Sequence, residues 1–244
     1  MPYNNYGNFL ANNLYCILLI PVFGLSLWAQ FQVSSSFRKY SAGTNRRGLT
    51  GARAAEAVLR AGGVYNVMIQ PTQGSLTDHF DPRSNTIFLS EPVYSAATIA
   101  AVGVAAHEAG HAVQYAQGYA PIRIRSAIVP LTQFGSKFSF ILLLAGMLLY
   151  SQRLFLVGIL LFSLTTIFQL VTLPVEFNAS RRALDAIESQ GLLDGGELRG
   201  AKKVLRAAAL TYVAALLMSV LQLLRYVLIF VGRNQSSRRD GGRR

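Results

Sequence analysis

The stretch VAAHEAGHAVQYAQGY, residues 104–119, sets His107 and His111 four positions apart with Glu108 directly behind the first. The surrounding TIAAVGVAAHEAGHAVQYA is rich in strong helix formers, and no proline interrupts it before Pro121, so the segment is predicted to be helical. At 3.6 residues per turn the two imidazoles lie one above the other on a single face, with Glu108 beside them. That is the H-E-x-x-H arrangement, in which two histidines hold zinc and the glutamate serves as a base. The alternative is a helix carrying two half-buried polar residues. The chain has only 3 histidines, and two of them occupy these positions with the glutamate between, which favours the metal reading.

Working outward, the 244 residues are 52% hydrophobic and only 14% charged, with a mean hydropathy of +0.34. This is not the composition of a plain soluble enzyme. The apolar residues are bunched. FLANNLYCILLIPVFGLSLWAQFQV, Phe9 to Val33, and LFLVGILLFSLTTIFQLVTL, Leu154 to Leu173, carry no charge, and each has about the 20 residues that a bilayer core requires. The first lacks the basic start of a cleavable signal and reads as an uncleaved anchor. FSFILLLAGMLLY, Phe138 to Tyr150, is too short alone, so its crossing begins near Ala127 and includes Lys137, whose stem can snorkel to the headgroups. AAALTYVAALLMSVLQLLRYVLIFVG, Ala207 to Gly232, is long enough but contains Arg225; it either spans or lies partly against the catalytic unit.

The formal charge of +12 raises nucleic-acid binding as a possibility. The basic residues instead flank apolar segments, as Arg38, Lys39, Arg46 and Arg47 do, and Arg181, Arg182, Lys202 and Lys203. They read as charges at an anionic lipid surface, with the bilayer as partner and no nucleic acid. The single cysteine, Cys16, rules out an internal disulfide and a cysteine zinc cluster.

Between the first anchor and the motif, Thr50 is placed to cap a short helix that stops at Gly62 and Gly63. VYNVMIQ alternates like a strand, and LTDHF, DPRSN and TIFLS read as a β-hairpin with Pro82 and Asn85 in its loop. The fold expected is a mostly α membrane protein: transmembrane helices plus a small α+β zincin-like unit with the hairpin beside the H-E-x-x-H helix. Its parts are an anchor at 9–33, the zincin-like unit at 37–125, a transmembrane hairpin at 127–173, a helical segment at 174–206, a C-terminal apolar helix at 207–232 and a disordered basic tail at 233–244.

A catalytic zinc needs a third protein ligand and an open position. His79 in TDHFDP is one candidate; on a hairpin it serves more often as a solvent-facing or substrate-contacting residue, while Asp78 and Asp81 organise the turn. Glu176 is the better one. It follows Pro174 at the start of LPVEFNASRRALDAIESQG, and two crossings joined by the tight turn YSQR return it to the side of the motif helix. The competing reading is an acid favoured near a helix N-terminus by the dipole.

HEAGH with TDHFDP upstream, and VEFNASRRAL after a transmembrane hairpin, resemble the YugP-like family of membrane-bound neutral zinc metallopeptidases. The similarity runs from SLWAQ through GYAPIRIRSAIVP to LTYVAALL. The order of parts is more distantly similar to HtpX- and Ste24-type membrane proteases, in which the glutamate ligand belongs to an E-x-x-A-D pattern. Here Glu176, Phe177, Asn178, Ala179 and Ser180 occupy it, and Ser180 replaces the aspartate that would orient a zinc-bound histidine. The resemblance implies hydrolysis of peptides or proteins, membrane proteins among them, in a bacterial plasma membrane. One Zn²⁺ held by His107, His111 and Glu176, with Glu108 as general base, accounts for that chemistry. Tyr212 and Arg225 are candidates for the second electrophile that an oxyanion requires; the rival readings are an interfacial aromatic and a buried structural charge. A catalytically silent zinc-binding scaffold or assembly factor is the alternative function, and the intact Glu108 argues against it. The basic loops at 38–60 and 181–206 place the catalytic unit on the cytoplasmic side.

Overall fold

In the computed structural model, the backbone is described for residues 3–241 and the side chains for Tyr15 and residues 17–233. The chain forms helix α1 (Tyr3–Ser41), α2 (Gly51–Ala61), strands β1 (Met68–Thr72), β2 (His79–Asp81) and β3 (Thr86–Ser90), then α3 (Glu91–Tyr94), α4 (Ile99–Ala116), α5 (Ala120–Leu148), α6 (Gln152–Ser189) and α7 (Gly195–Gly241). Four of these helices, α1, α5, α6 and α7, contain stretches long and apolar enough to cross a membrane. The protein is thus a mostly helical membrane protein with a small three-stranded sheet. It divides into two compact units.

One unit comprises residues 1–27, 125–171 and 213–244. Its buried core is Leu143, Phe155 and Ile159, against which Leu223, Tyr226, Ile229 and Phe230 pack. Two glycines make the α5–α6 hairpin tight: a Cβ at Gly146 would lie 2.5 Å from the Phe155 nitrogen, and one at Gly158 2.8 Å from Leu143 Cγ. Small residues of this kind let helices approach where lipid supplies no hydrophobic drive. Tyr150, at φ 53°, makes the turn between the two helices. Polar groups in this unit find one another: Tyr15 donates to Gln222 Oε1 at 2.6 Å, and Gln222 Nε2 donates to the Tyr226 hydroxyl at 2.8 Å.

The other unit comprises residues 28–124 and 172–212. Helix α4 is its spine, buried along Ala100, Ala101, Val102, Ala105, Ala106, Ala109, Ala112 and Val113. Alanine at so many positions keeps α4 thin enough to be packed by Ala55 and Leu59 of α2, Leu89 of β3, Ile187 of α6 and Leu205 of α7 within one cluster. The Thr50 side chain accepts from the Arg53 N–H and caps α2, which ends at Gly62 followed by Gly63 at φ 72°. Strand β3 lies between β1, parallel to it, and β2, antiparallel. The expected hairpin is present, with Asn85 left-handed in its loop at φ 51°. Asp81 holds that loop by accepting from the Arg83 N–H and the Ser84 hydroxyl, each at 2.9 Å.

Several boundaries differ from the sequence reading. The first helix outlasts the anchor expected at 9–33, because α1 runs to Ser41 and places Arg38 and Lys39 in its last turn, where cations suit the helix dipole. No helix starts at Pro174. It lies inside α6, and the missing N–H is tolerated because Thr172, Val175, Glu176 and Ala179 around it are all buried against the unit. The segment 174–206 resolves into the end of α6 and the start of α7, separated by a turn with Gly191 at φ 58°. At the start of α7, Glu197 Oε2 accepts from the Asp194 N–H at 3.1 Å, one arm of a capping box. The polar tail expected to lack structure falls on the end of α7, which runs to Gly241, and on residues 242–244, which lie outside the described residues.

Candidate metal centre

His107 and His111 face the same side of α4 with ring centroids 4.6 Å apart and planes at 79°. Helix α6 brings Glu176 to them. Its Oε2 is 3.2 Å from His107 Nε2 and 3.5 Å from His111 Nε2, and the three side chains offer ligand atoms within 4.8 Å of one another. Two metal–ligand bonds of about 2.0–2.1 Å meeting at a tetrahedral angle hold their ligand atoms about 3.3 Å apart. The spacing therefore suits a single zinc ion. Two neutral imidazoles and one carboxylate are also the donor set of a zinc site that keeps a position open.

The rings are held from behind. Gln114, wholly buried, donates from Nε2 to the Val175 carbonyl and to Asn178 Oδ1, both at 2.9 Å. Its Oε1 is left to accept, and His111 Nδ1 lies 3.1 Å from it. The Nδ1 nitrogen of His111 thus carries the proton, which leaves Nε2 a free lone pair directed at the Glu176 side. Ser180 Oγ lies 3.1 Å from His107 Nδ1 and can accept from it in the same way. The serine that departs from the E-x-x-A-D pattern thus occupies the orienting place on His107 by a neutral contact instead of a charged one.

Gly110 makes the approach of α4 to α6 possible. A Cβ there would lie 2.7 Å from the Ala179 carbonyl oxygen, a backbone atom that cannot swing aside. The small residue within HEAGH is a distance setting between the ligand-bearing helices.

Glu108 is buried and outside the ligand cluster. Burial pushes its carboxyl up to about 7, a positive charge on His107 or His79 opposes that rise when present, and the Glu176 and Asp78 carboxylates add to it. A carboxyl that exchanges its proton near neutrality is suited to general acid–base work.

The remaining candidates are not among the three ligands. His79 is exposed on β2, stacked on Phe88 at 5.1 Å, with Nδ1 donating to the Thr77 carbonyl at 2.8 Å. It is not in the three-residue cluster. Asp78 ties the strand ends together by accepting from the Ser90 N–H at 2.8 Å and from its hydroxyl. Tyr212 is half-buried on α7. Arg225 belongs to the other unit, its guanidinium 4.6 Å from the Tyr15 ring centroid, a cation–π contact that compensates part of the cost of a charge on an apolar helix. Sequence reading missed Gln114. Its signal was available: three residues beyond His111 on one helix, it shares the histidine face.

The family described as "putative neutral zinc metallopeptidase" matches residues 15–231. The chain is 49% identical over 224 residues to the protein named "Putative membrane protease YugP" of Bacillus subtilis (strain 168), an alignment covering 91% of this chain and 100% of that protein. No solved structure matches. The chain belongs to this neutral zinc metallopeptidase family.

Proposed function

We propose that this member of the family is a membrane-integrated zinc peptidase in which His107, His111 and Glu176 hold one ion and Glu108 handles the proton. The observation that carries the proposal is the convergence of three ligand atoms at 3.2–3.5 Å separations beside a buried carboxyl poised near neutrality. When bound, zinc supplies Lewis-acid chemistry, lowering the pKa of a water and polarising a carbonyl. The Glu108 carboxylate takes a proton from the attacking water and delivers it to the departing amine nitrogen. Gln114 and Ser180 keep both histidines oriented with Nε2 inward. Tyr212 or His79 contributes a second donor to the developing oxyanion. The substrate is a peptide or protein, membrane proteins included.

The unit carrying the site faces the cytoplasm, because Arg and Lys crowd residues 38–60 and 181–206. With Cys16 replaced, a cysteine introduced at Ser84 should react with membrane-impermeant reagent only after lysis; labelling of intact cells would reverse the orientation. The activity itself is tested by metal analysis and peptide cleavage with the purified protein and its Glu108→Gln variant. One zinc per chain in both, with cleavage confined to the unsubstituted protein, is the expected result. Cleavage unchanged in the variant would remove Glu108 from the chemistry.

A further inference from the structure

Helices α6 and α7 form a groove of about 480 Å³, whose lining includes Phe177, Arg181, Asp185, Glu188, Lys202 and Arg206. Five residues, 190–194, join the two helices. The lining is ordered along it. Asp185, Glu188 and Leu198 come from the ends nearer that turn, whereas Phe177, Arg181, Arg206 and Ala209 come from the ends nearer the uncharged runs that stop at Leu173 and begin at Ala207. Among the described residues, Arg181, Lys202 and Arg206 form no ion pair, even though two carboxylates line the same groove. Two arginines that form no salt bridge with the carboxylates of the same groove, next to apolar surface and a few residues from candidate spans, match an amphiphile with a phosphodiester head. The guanidinium is the side chain best shaped for phosphate oxygens, and the acyl chain has exposed Phe177 and half-buried Leu184 to lie on.

We propose that this groove is a binding site for one anionic phospholipid, its phosphate held by Arg181 and Arg206 and its chain laid toward Phe177 and Ala209. The site is separate from the metal ligands and touches their support. Ser180 lines the groove and contacts His107 at Nδ1, the nitrogen that does not face Glu176. An occupant therefore bears on the side of the histidine that is oriented, not on the side where a scissile bond would sit. Solvated interfacial charge is the rival explanation, and it predicts attraction of anionic lipid without a preferred location.

The test uses the full chain in nanodiscs of phosphatidylcholine with trace photoactivatable phosphatidylglycerol or photoactivatable phosphatidylcholine, followed by peptide mapping of the adducts. Phosphatidylglycerol adducts should concentrate in residues 177–188 and 198–209, and phosphatidylcholine adducts should not. Arg181→Gln with Arg206→Gln should lower the groove adducts by roughly tenfold or more, since each basic group near an anionic surface is worth a factor of about five. Arg53→Gln with Lys203→Gln removes the same charge from exposed positions outside the groove lining and should leave the adducts within about twofold. Equal loss in both double variants, or equal labelling by the two lipids, overturns the site in favour of diffuse attraction. Displacement by inorganic phosphate at physiological concentration would show that a free anion, not a lipid, occupies it.

Discussion

Replacing Glu108 by glutamine should stabilise the metal-free protein while disabling it, and the stabilisation should grow with pH. The carboxyl is raised from 4.5 to about 7, chiefly by burial. In the folded state it therefore holds its proton more tightly than in the unfolded chain. The stability tied to that group is fully present below pH 4.5 and is lost as pH rises through about 7. At about 1.4 kcal/mol per pKa unit, the rise corresponds to about 3 kcal/mol forfeited at alkaline pH. Glutamine keeps the size and never ionises, so it escapes that loss. For a chain of this length about 3 kcal/mol is worth roughly 6–12 °C in Tm. The assay is thermal unfolding of detergent-solubilised, chelator-treated protein and variant, at about pH 4 and about pH 8.5, below the unfolded and above the folded pKa. The two should unfold together at the lower pH. At the higher pH the variant should be the more stable, and zinc should narrow the gap because the ion's charge offsets the burial cost of the carboxylate. In the zinc-loaded proteins turnover should fall by a factor of roughly 10² to 10⁴, the usual worth of general acid–base catalysis. A Tm difference independent of pH would refute the reasoning, since it would mean that Glu108 ionises in the fold without cost.

Glu176→Ala should lose both zinc and activity, because two imidazoles alone do not close the three-ligand site, while His79→Ala should keep its zinc; metal analysis of both decides, and the reverse pattern would make the hairpin histidine the ligand. Gly110→Ala should weaken zinc binding by roughly tenfold or more in chelator competition, since relieving the contact with the Ala179 carbonyl at 2.7 Å moves α6 by more than the about 0.2 Å that zinc–ligand distances tolerate. Gln114→Leu should cost roughly 10- to 100-fold in zinc affinity by freeing His111 to rotate, and it should alter the absorption spectrum of the Co²⁺-substituted protein; an unchanged spectrum would show that the ring is held by packing alone.

The motif helix was legible because its signal is local: two histidines one turn apart, flanked by alanines, need no tertiary information to share a face. The hairpin was legible for the same reason, since Pro82 and Asn85 mark a turn between two short apolar runs. Pro174 misleads because a proline reads as a boundary in isolation, whereas here Thr172 before it and Val175, Glu176 and Ala179 after it are buried and the packing carries the helix through. Glu176 is legible through topology, and it does not serve a helix N-terminus, because α6 begins at Gln152. Ser180 was noted as a departure from a pattern; only the structure shows its hydroxyl at the His107 Nδ1. The spacing of Gln114 from His111 was legible, but the α6 groups that fix its amide lie 61 and 64 residues away in the chain, and no spacing rule reaches that far.

The continuity of α6 turns these separate contacts into one device. Val175, Glu176, Asn178, Ala179 and Ser180 are consecutive or nearly so on one helix, and each meets α4 differently. Gln114 grips the Val175 carbonyl and Asn178, Glu176 closes the ligand set, the Ala179 carbonyl sits against Gly110, and Ser180 backs His107. Arg182 extends the same line, donating from Nε to Asn178 Oδ1 at 2.7 Å and from a terminal nitrogen to Gln117 Oε1 at 2.6 Å. A rigid helix fixes the relative positions of all these groups, so a shift that strained one contact would strain the others together. Ligand geometry is then set by the separation of two helices and not by the freedom of individual side chains. That separation depends on Gly110 having no side chain.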